Sequence, residues 1–328
     1  MDIKGLKAMV DTVNQSTFDA VALEVFKYQS EHCQVYRSFL SHLHTDVANV
    51  NKVAEIPYLP IEFFKNFEVI TDAFEPAMVF ESSSTSGIGV SRHLLDDPQR
   101  YEEAFVRSFS HVLGDARTYC HLALLPSYLE RQQSSLVYQV NHFISTSQYP
   151  QSAFYLYDVD ALHKQLFFNE EHQVPTILWG VTYALLDMAE KFQMQLKHTR
   201  IIETGGMKGR RKEITRHELH DVLKRAFGVS AVGGEYGMTE LLSQSYSLSD
   251  GLYACPPQMK ITVREINDPF STPLVNRHGV VNVCDLANLQ SCAFIGTSDL
   301  GKVYDDGRFE ILGRIDYSDT RGCNLLVV

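Results

Sequence analysis

The chain has 328 residues, of which 45% are hydrophobic and 21% charged, and its formal net charge is −11 at pH 7. This length and composition predict a soluble globular protein with a large buried core, in one large domain or two closely joined lobes. The acidic balance argues against a general nucleic-acid-binding protein, which would carry a basic field, but not against a nucleotide held by local backbone N–H groups and one cation.

Nothing in the sequence indicates membrane insertion or export. No apolar run is long enough to span a bilayer, and the amino terminus lacks the apolar core of a signal peptide. The six cysteines are scattered and form no Cys-x-x-Cys pair, so neither a zinc knuckle nor a dithiol redox site is indicated. We therefore expect a cytoplasmic protein with reduced thiols, no membrane span and no nucleic-acid partner.

The first part of the chain is predicted to be helical. Apolar residues recur at mixed helical spacings over the first 50 residues, until a passage at 56–65 interrupts them. The two prolines of this passage predict an extended segment whose aromatic side chains anchor it to the core. After a serine-rich segment, Asp96 or Asp97 is expected to cap a helix with Pro98 in its first turn.

Strands and helices are then predicted to alternate. The patterns indicate a strand at 120–125, a helix over roughly 177–196, a short strand at 200–203 and a strand at 229–232. Thr215-x-x-Glu218 is a capping box that begins a helix closed by Gly228. Beyond residue 255 we expect strands at 260–265, 279–284 and 292–296, and a hairpin over 303–312 that turns at Asp306-Gly307. This order indicates an α/β architecture with an accessory sheet or barrel.

Four short segments carry residues suited to nucleotide chemistry. They are Glu81-Ser-Ser-Ser-Thr-Ser-Gly87, Glu235-Tyr-Gly-Met-Thr-Glu240, Thr297-Ser-Asp-Leu-Gly301 and Gly313-Arg-Ile-Asp316. In the first, small residues let backbone N–H groups and hydroxyls approach phosphate oxygens, although the Gly-Lys-Ser/Thr ending of a Walker loop is missing. Taken alone, each segment is also consistent with an ordinary turn or surface loop.

The other three segments offer groups for a base, a ribose, a phosphate and a metal. Tyr236 could stack on a purine, Thr239 could donate to a phosphate, and Glu240 could hold Mg²⁺, which takes one or two carboxylates beside the phosphates. Asp299, expected in a turn between strands, could accept hydrogen bonds from both ribose hydroxyls. Arg314, expected just past the hairpin, could meet the ribose or the α-phosphate as a planar donor fork.

In this order and at these separations, the four segments resemble the nucleotide-binding apparatus of the adenylate-forming superfamily of acyl- and aryl-CoA ligases. More closely, the chain is similar to the acyl-protein synthetase (LuxE-type) family of bacterial fatty-acid reductase systems, from about residue 50 onward. The further stretches that carry this similarity are Leu59-Pro-Ile-Glu-Phe-Phe-Lys65, Leu125-Pro-Ser-Tyr-Leu-Glu-Arg131, Thr204-Gly-Gly-Met-Lys208 and Leu312-Gly-Arg-Ile-Asp316 through Arg321-Gly-Cys323.

The resemblance implies the α/β fold of the superfamily's large lobe, with an accessory β-rich part and without the small C-terminal lid domain. The implied divisions are an adenylate-forming core over 1–312 and a hinge-like tail over 313–328. The core would consist of a helical lead segment (1–60), an α/β part (61–255) and a β-rich part (256–312).

The resemblance also implies ATP and Mg²⁺ as cofactors. A carboxylic acid, with a long-chain fatty acid favoured, would attack the α-phosphate of ATP to give an acyl adenylate. The acyl group would then pass to a cysteine thiol and on to a partner reductase. Glu240 would hold the metal. The residues that the resemblance assigns to the nucleotide are Ser82, Ser83, Ser84, Thr85, Ser86, Gly87, Gly205, Gly206, Glu235, Tyr236, Gly237, Thr239, Asp299 and Arg314.

Two departures from the family pattern concern the site. Ser84 stands where many relatives have glycine, and the lid domain that supplies a lysine for adenylation in the large CoA ligases is not expected here. Another cation must then offset the negative charge between carboxylate and phosphate. Lys208 and Arg314 are our catalytic candidates, and Arg210 and Arg211 are further cations near Lys208.

Cys323 is the expected acyl acceptor, because a thiolate attacks an acyl adenylate readily and a residue near a chain end can reach into a cleft. On residue type alone, a cysteine buried in a final strand is the more common case. Two other functions stay open: a ligase that transfers an acyl or aryl group to CoA or a carrier protein, and a catalytically inactive binding or scaffold subunit.

Overall fold

The computed structural model describes residues 2–82, 89–125, 133–205 and 214–315. Its helices are α1 (Ile3–Asp11), α2 (Phe18–His32), α3 (Gln34–His42), α4 (Phe63–Asn66), α5 (Pro98–Leu113), α6 (Ser135–Thr146), α7 (Val159–Glu171), α8 (Thr182–Lys191) and α9 (Arg216–Phe227). Its strands are β1 (Leu59–Pro60), β2 (Met78–Glu81), β3 (Arg92–Leu95), β4 (Cys120–Leu124), β5 (Ala153–Phe154), β6 (Thr176–Val181), β7 (Thr199–Thr204), β8 (Gly233–Tyr236), β9 (Ser245–Ser247), β10 (Leu252–Ala254), β11 (Met259–Arg264), β12 (His278–Asp285), β13 (Phe294–Val303) and β14 (Phe309–Arg314).

Within the described residues, twelve strands form one mixed sheet in the order β11-β12-β13-β14-β10-β9-β8-β7-β6-β4-β5, with β1 added beside β13. The strands from β5 to β8 in this order pair in parallel, and every pair from β8 to β11 is antiparallel. Strands β2 and β3 form a separate hairpin. The predicted α/β class with a β-rich end is therefore confirmed.

Buried apolar side chains of the described residues gather in two clusters. One lies between the parallel strands and helices such as α5 and α6, with Trp179 and Phe109 among its members. The other joins the amino-terminal helices to the antiparallel strands, where the rings of Phe26 and Phe294 meet edge to face at 6.1 Å. Gln29 strengthens this second contact, because its side chain donates to the carbonyl of Asn288 at 2.9 Å. The helical start of the chain is thus packed onto its β-rich part.

Two predicted helices begin and end as their capping residues indicate. The Asp97 side chain accepts from the N–H of Gln99 at the start of α5. At the start of α9, Thr215 and Glu218 form the predicted reciprocal capping box. That helix ends at Gly228, whose φ of +63° is the left-handed conformation in which glycine carries no Cβ penalty.

The predicted helix over 177–196 is wrong in its first part. Residues 176–181 form β6, a strand between β4 and β7 in which every residue is buried, and the helix occupies only Thr182–Lys191. A strand covered on both faces is a continuous apolar run. Periodicity alone does not distinguish such a run from a buried helix.

Other boundaries also differ from prediction. Strand β8 begins at Gly233 rather than at 229, so it contains the start of the second motif. Asp299 lies within β13 rather than in a turn, and Arg314 is the last residue of β14 rather than a residue beyond the hairpin. The extended passage predicted at 56–65 ends after Pro60, and α4 follows.

Candidate active site

The candidate residues that the structure describes gather where the parallel half of the sheet meets the antiparallel half. Strand β8 is the last parallel strand, and Glu235 and Tyr236 occupy its carboxyl end. Gly205 directly follows the neighbouring strand β7, has a φ of +69°, and accepts a 2.8 Å hydrogen bond from the Thr182 hydroxyl. In open α/β sheets, the carboxyl edge at a change of strand order is the usual ligand-binding crevice.

Asp299 connects three of the sequence motifs. Its carboxylate accepts a hydrogen bond from the Tyr236 hydroxyl at 2.8 Å and another, on its second oxygen, from Nε of Arg314 at 2.9 Å. The pairing of β13 with β14 places Asp299 opposite Arg314. Asp299 is buried, whereas the Arg314 side chain is 70% exposed. The guanidinium is therefore anchored at one nitrogen and otherwise largely open to solvent.

The surroundings of Tyr236 and Arg314 raise the pKa of both groups. The Tyr236 ring packs edge-on against Tyr253 and Phe309, and burial, followed by the charge of Asp299, raises the pKa of Tyr236 well above its usual range. The charge of Asp299 also raises the pKa of Arg314. Tyr236 therefore stays a neutral donor to the Asp299 carboxylate. Its stacking on a purine stays a prediction, since the residue is only 8% exposed.

Glu235, the neighbour of Tyr236, is a buried carboxyl with an unusually high pKa. Burial raises its pKa to about 7, although hydrogen bonding to Thr204 and Gln139 partly offsets this rise. Nε2 of Gln139 lies 3.2 Å from one of its oxygens. Near neutral pH, Glu235 therefore exchanges between a neutral and a charged form, and its place in an adenine slot stays a prediction.

Glu240 is a second buried carboxylate, 3% exposed, in the turn that follows β8. Burial raises its pKa, while the hydroxyl of Ser91 and the charges of Arg314 and Lys65 lower it. Within the described part of the chain, Glu240 forms no direct salt bridge, so its charge is balanced only at a distance. A carboxylate in this state suits Mg²⁺, which takes few protein ligands because phosphates and water supply the rest.

The loop that carries Glu240 is held by its backbone. Nδ2 of Asn288 donates to the Glu240 carbonyl at 2.8 Å, and Nδ1 of the buried His93 lies 2.8 Å from the Thr239 carbonyl oxygen. Burial lowers the pKa of His93. Thr239 is partly exposed and Gly237 is exposed on the same loop. The loop thus has a fixed backbone, with the buried Glu240 next to the partly exposed Thr239.

The serine segment is the connection between β2 and β3, and the structure describes its two ends. The Ser82 N–H donates to the Ser91 carbonyl and the Ser91 N–H donates to the Ser82 hydroxyl, each at 3.0 Å. The Ser91 hydroxyl also lowers the pKa of Glu240. The Ser82–Ser91 pair therefore lies beside the Glu240 loop.

Many predicted site residues lie outside the described residues, and their roles stay predictions. They are Ser83, Ser84, Thr85, Ser86, Gly87, Gly206, Lys208, Arg210, Arg211 and Cys323.

Sequence reasoning missed several polar residues that support the site. Lys65 is the last residue of a stretch that carries the family resemblance. Exposed lysines are common, so the sequence alone did not predict a role for it. His93 and Asn288 are buried and bonded to the Glu240 loop from distant parts of the chain. Only their partners in space distinguish them, and a single sequence contains no signal for those partners.

A surface cavity of about 450 Å³ lies elsewhere on the sheet. Its lining includes Pro175, Thr199, Arg200 and Ala231, which lie before or at the amino ends of β6, β7 and β8. It is therefore at the edge opposite to the candidate site. Within the described ranges no cluster of three or more metal-ligating side chains occurs, and no helix there is long and apolar enough to cross a bilayer.

Solved structures with a similar fold are adenylate-forming ligases. One is ATP-bound MatB from Rhodopseudomonas palustris, with a TM-score of 0.56, 15% identity, and coverage of 74% of this chain and 50% of that chain. Another is 2-hydroxyisobutyryl-CoA ligase in complex with 2-HIB-AMP and CoA in the thioesterification state, with a TM-score of 0.68, 12% identity, and coverage of 94% and 71%. The chain thus spans about half the length of the first of these structures. The fold is that of the adenylate-forming ligases.

The family follows from the sequence itself. The model of the LuxE acyl-protein synthetase family matches residues 8–328, nearly the whole chain. The chain therefore belongs to the LuxE acyl-protein synthetase family, as the sequence motifs indicated. No curated protein matches the chain in sequence.

Proposed function

We propose that this protein uses ATP to activate a carboxylic acid, with a long-chain fatty acid favoured, as an acyl adenylate. The acyl group then passes to Cys323 and on to an acyl-accepting reductase. The observation that carries the proposal is that Asp299 accepts hydrogen bonds from both Tyr236 and Arg314 at the carboxyl edge of the sheet. The charge of the same arginine also lowers the pKa of the buried Glu240. Membership in the acyl-protein synthetase family supports the same chemistry.

The described residues suit the separate parts of Mg·ATP. An ionised carboxylate has about four acceptor sites, so each oxygen of Asp299 can take a ribose hydroxyl in addition to its protein donor. Arg314, anchored at Nε, can turn its remaining donors to the ribose or the α-phosphate. Glu240 would hold Mg²⁺, which neutralises phosphate charge when bound. Ser82 and the rest of its segment would face the β- and γ-phosphates.

The reaction proceeds in two displacements. A carboxylate oxygen of the acid attacks the α-phosphorus, the bond to the β-phosphate oxygen breaks, and pyrophosphate leaves. The Cys323 thiolate then attacks the acyl carbon of the mixed anhydride, a thioester forms, and AMP departs with the electrons of the broken bond. A cation near the α-phosphate stabilises the charge of the first transition state, and Arg314 is the described candidate beside Lys208.

ATP–pyrophosphate exchange, measured with fatty acids of graded chain length and with several aromatic acids, tests the first displacement. We expect acid-dependent exchange that is strongest with long-chain fatty acids. The variant Cys323→Ser should keep this exchange and lose hydroxylamine-labile acyl labelling, and Cys255→Ser provides a matched control that should keep both.

Three outcomes would contradict the proposal at different points. Labelling that persists in Cys323→Ser would point to another acceptor residue. Labelled product that appears only with added CoA or carrier protein would identify a ligase of the other type. Absence of exchange with every acid would favour an inactive binding or scaffold subunit.

A further inference from the structure

Helix α4 is attached to the strand that carries Asp299. The preceding strand β1 pairs in parallel with β13, so that Leu59 lies opposite Ile295. The Ser298 hydroxyl, next to Asp299 in the same strand, lies 3.2 Å from the carboxylate of Glu62 and can donate to it. Because Glu62 immediately precedes α4, the position of this helix is fixed relative to Asp299.

The same helix is also attached to the Glu240 loop. The buried ring of Phe64 meets the ring of His93 edge-on, with 6.1 Å between centroids and an interplanar angle of 90°. Nε2 of His93 lies 3.0 Å from the Asn288 side-chain oxygen, and the Asn288 side-chain nitrogen donates to the Glu240 carbonyl. A continuous set of contacts therefore joins α4 to the loop that carries the buried carboxylate.

Lys65, the residue after Phe64, lies near both the Glu240 loop and Gly89. A Cβ placed on Gly89, where the serine segment returns toward β3, would lie 3.6 Å from the Lys65 Cβ. On its other side, the neighbouring Phe64 contacts His93, whose Nδ1 lies 2.8 Å from the carbonyl oxygen of Thr239, the residue before Glu240. Lys65 is exposed, and within the described part of the chain it forms no salt bridge. Among the described residues, no carboxylate therefore pairs with its ammonium group.

We propose that the Lys65 ammonium group pairs with the β- and γ-phosphates of ATP, in the space between the Glu240 loop and Gly89; this inference rests on the proposed function. A lysine ammonium is a compact charge with three donors on a flexible stem, which suits a phosphate tail of variable position. When the bond between the α- and β-phosphates breaks, the departing pyrophosphate gains negative charge. A cation held at that point stabilises the leaving group.

Equilibrium binding of Mg·ATP and of AMP by calorimetry tests this placement, because AMP has no β- or γ-phosphate. For Lys65→Ala we expect the Kd for ATP to rise about tenfold or more, as for the loss of a hydrogen bond to a charged group, and the Kd for AMP to change less than about twofold. Lys65→Arg should recover most of the ATP affinity. Lys164→Ala, which removes an exposed lysine of α7, should change neither Kd.

An unchanged ATP affinity in Lys65→Ala, or an equal loss of ATP and AMP affinity, would overturn the inference. Thermal unfolding measured on the same samples identifies a merely structural role of Lys65. In that case, Lys65→Ala would lower the midpoint of thermal unfolding and weaken the binding of ATP and AMP together. If the wild type binds both nucleotides but shows no pyrophosphate exchange, the proposed function fails while the ratio of affinities still decides the role of Lys65. If the wild type binds no ATP, both fail.

Discussion

Asp299 is the residue on which the candidate site most depends. It receives a donor from Tyr236 on one oxygen and from Arg314 on the other, and so fixes a tyrosine of β8 and an arginine of β14 with one buried charge. Removing that charge would leave the exposed guanidinium without its anchor. We therefore expect substitutions at Asp299 to affect nucleotide binding more than folding.

Replacement of Asp299 by asparagine should weaken ATP and AMP alike, by about 10- to 100-fold, because the ribose loses hydrogen bonds to a charged acceptor. This differs from the Lys65 variant, for which only ATP should be affected. Calorimetry with ATP and with 2′,3′-dideoxy-ATP provides the measurement. Removal of the ribose hydroxyls should weaken nucleotide binding to the wild type and have little effect on binding to Asp299→Asn.

Asp306→Asn is a suitable control for this experiment. Asp306 lies at the turn of the same hairpin and pairs with Arg308, away from the meeting point of the motifs. It should bind both nucleotides as the wild type does. An Asp299→Asn variant that retains wild-type affinity would remove the ribose role from this carboxylate.

Glu235 should make the stability of the protein depend on pH. Its pKa rises from 4.5 in the unfolded chain to about 7 in the folded protein. Its contribution to stability is therefore complete at pH values below 4.5 and is lost as the pH rises to about 7. Glu235→Gln removes this loss. Relative to the wild type, its free energy of unfolding should rise by roughly 2 kcal/mol between about pH 5.5 and pH 8.5.

Urea unfolding at the two pH values measures this difference. Glu31→Gln, which changes an exposed carboxylate of α2, is the matched control and should follow the wild type. If the difference in free energy of unfolding between Glu235→Gln and the wild type does not change with pH, the pKa of Glu235 is ordinary in the folded protein.

At the scale of secondary-structure elements, local signals predicted helix ends better than strand positions. The caps of α5 and α9 depend on neighbouring residues, and both were predicted correctly. Strand β6 was mistaken for a helix because its burial comes from strands distant in sequence. Asp299 was chosen from its motif, but its location in β13 opposite Arg314 depends on pairing that the sequence does not reveal.

At the scale of the whole molecule, the sheet brings together residues that are far apart in the chain. Tyr236 and Asp299 are 63 positions apart and share a hydrogen bond. The amino-terminal helices pack on the β-rich part, so that α4 and its Lys65 lie beside strands from the other end of the described chain. The motifs predicted which residues belong together, and the fold adds the supporting polar residues Lys65, His93 and Asn288.

The proposed function requires the four motif segments to surround one Mg·ATP. A crystal structure of the protein with Mg·ATP tests this most directly. We predict ribose hydroxyls within hydrogen-bond distance of Asp299, the metal on Glu240, and the phosphate tail between residues 82 and 91. A nucleotide bound at the opposite edge of the sheet, in the cavity beside Arg200, would rule out this site.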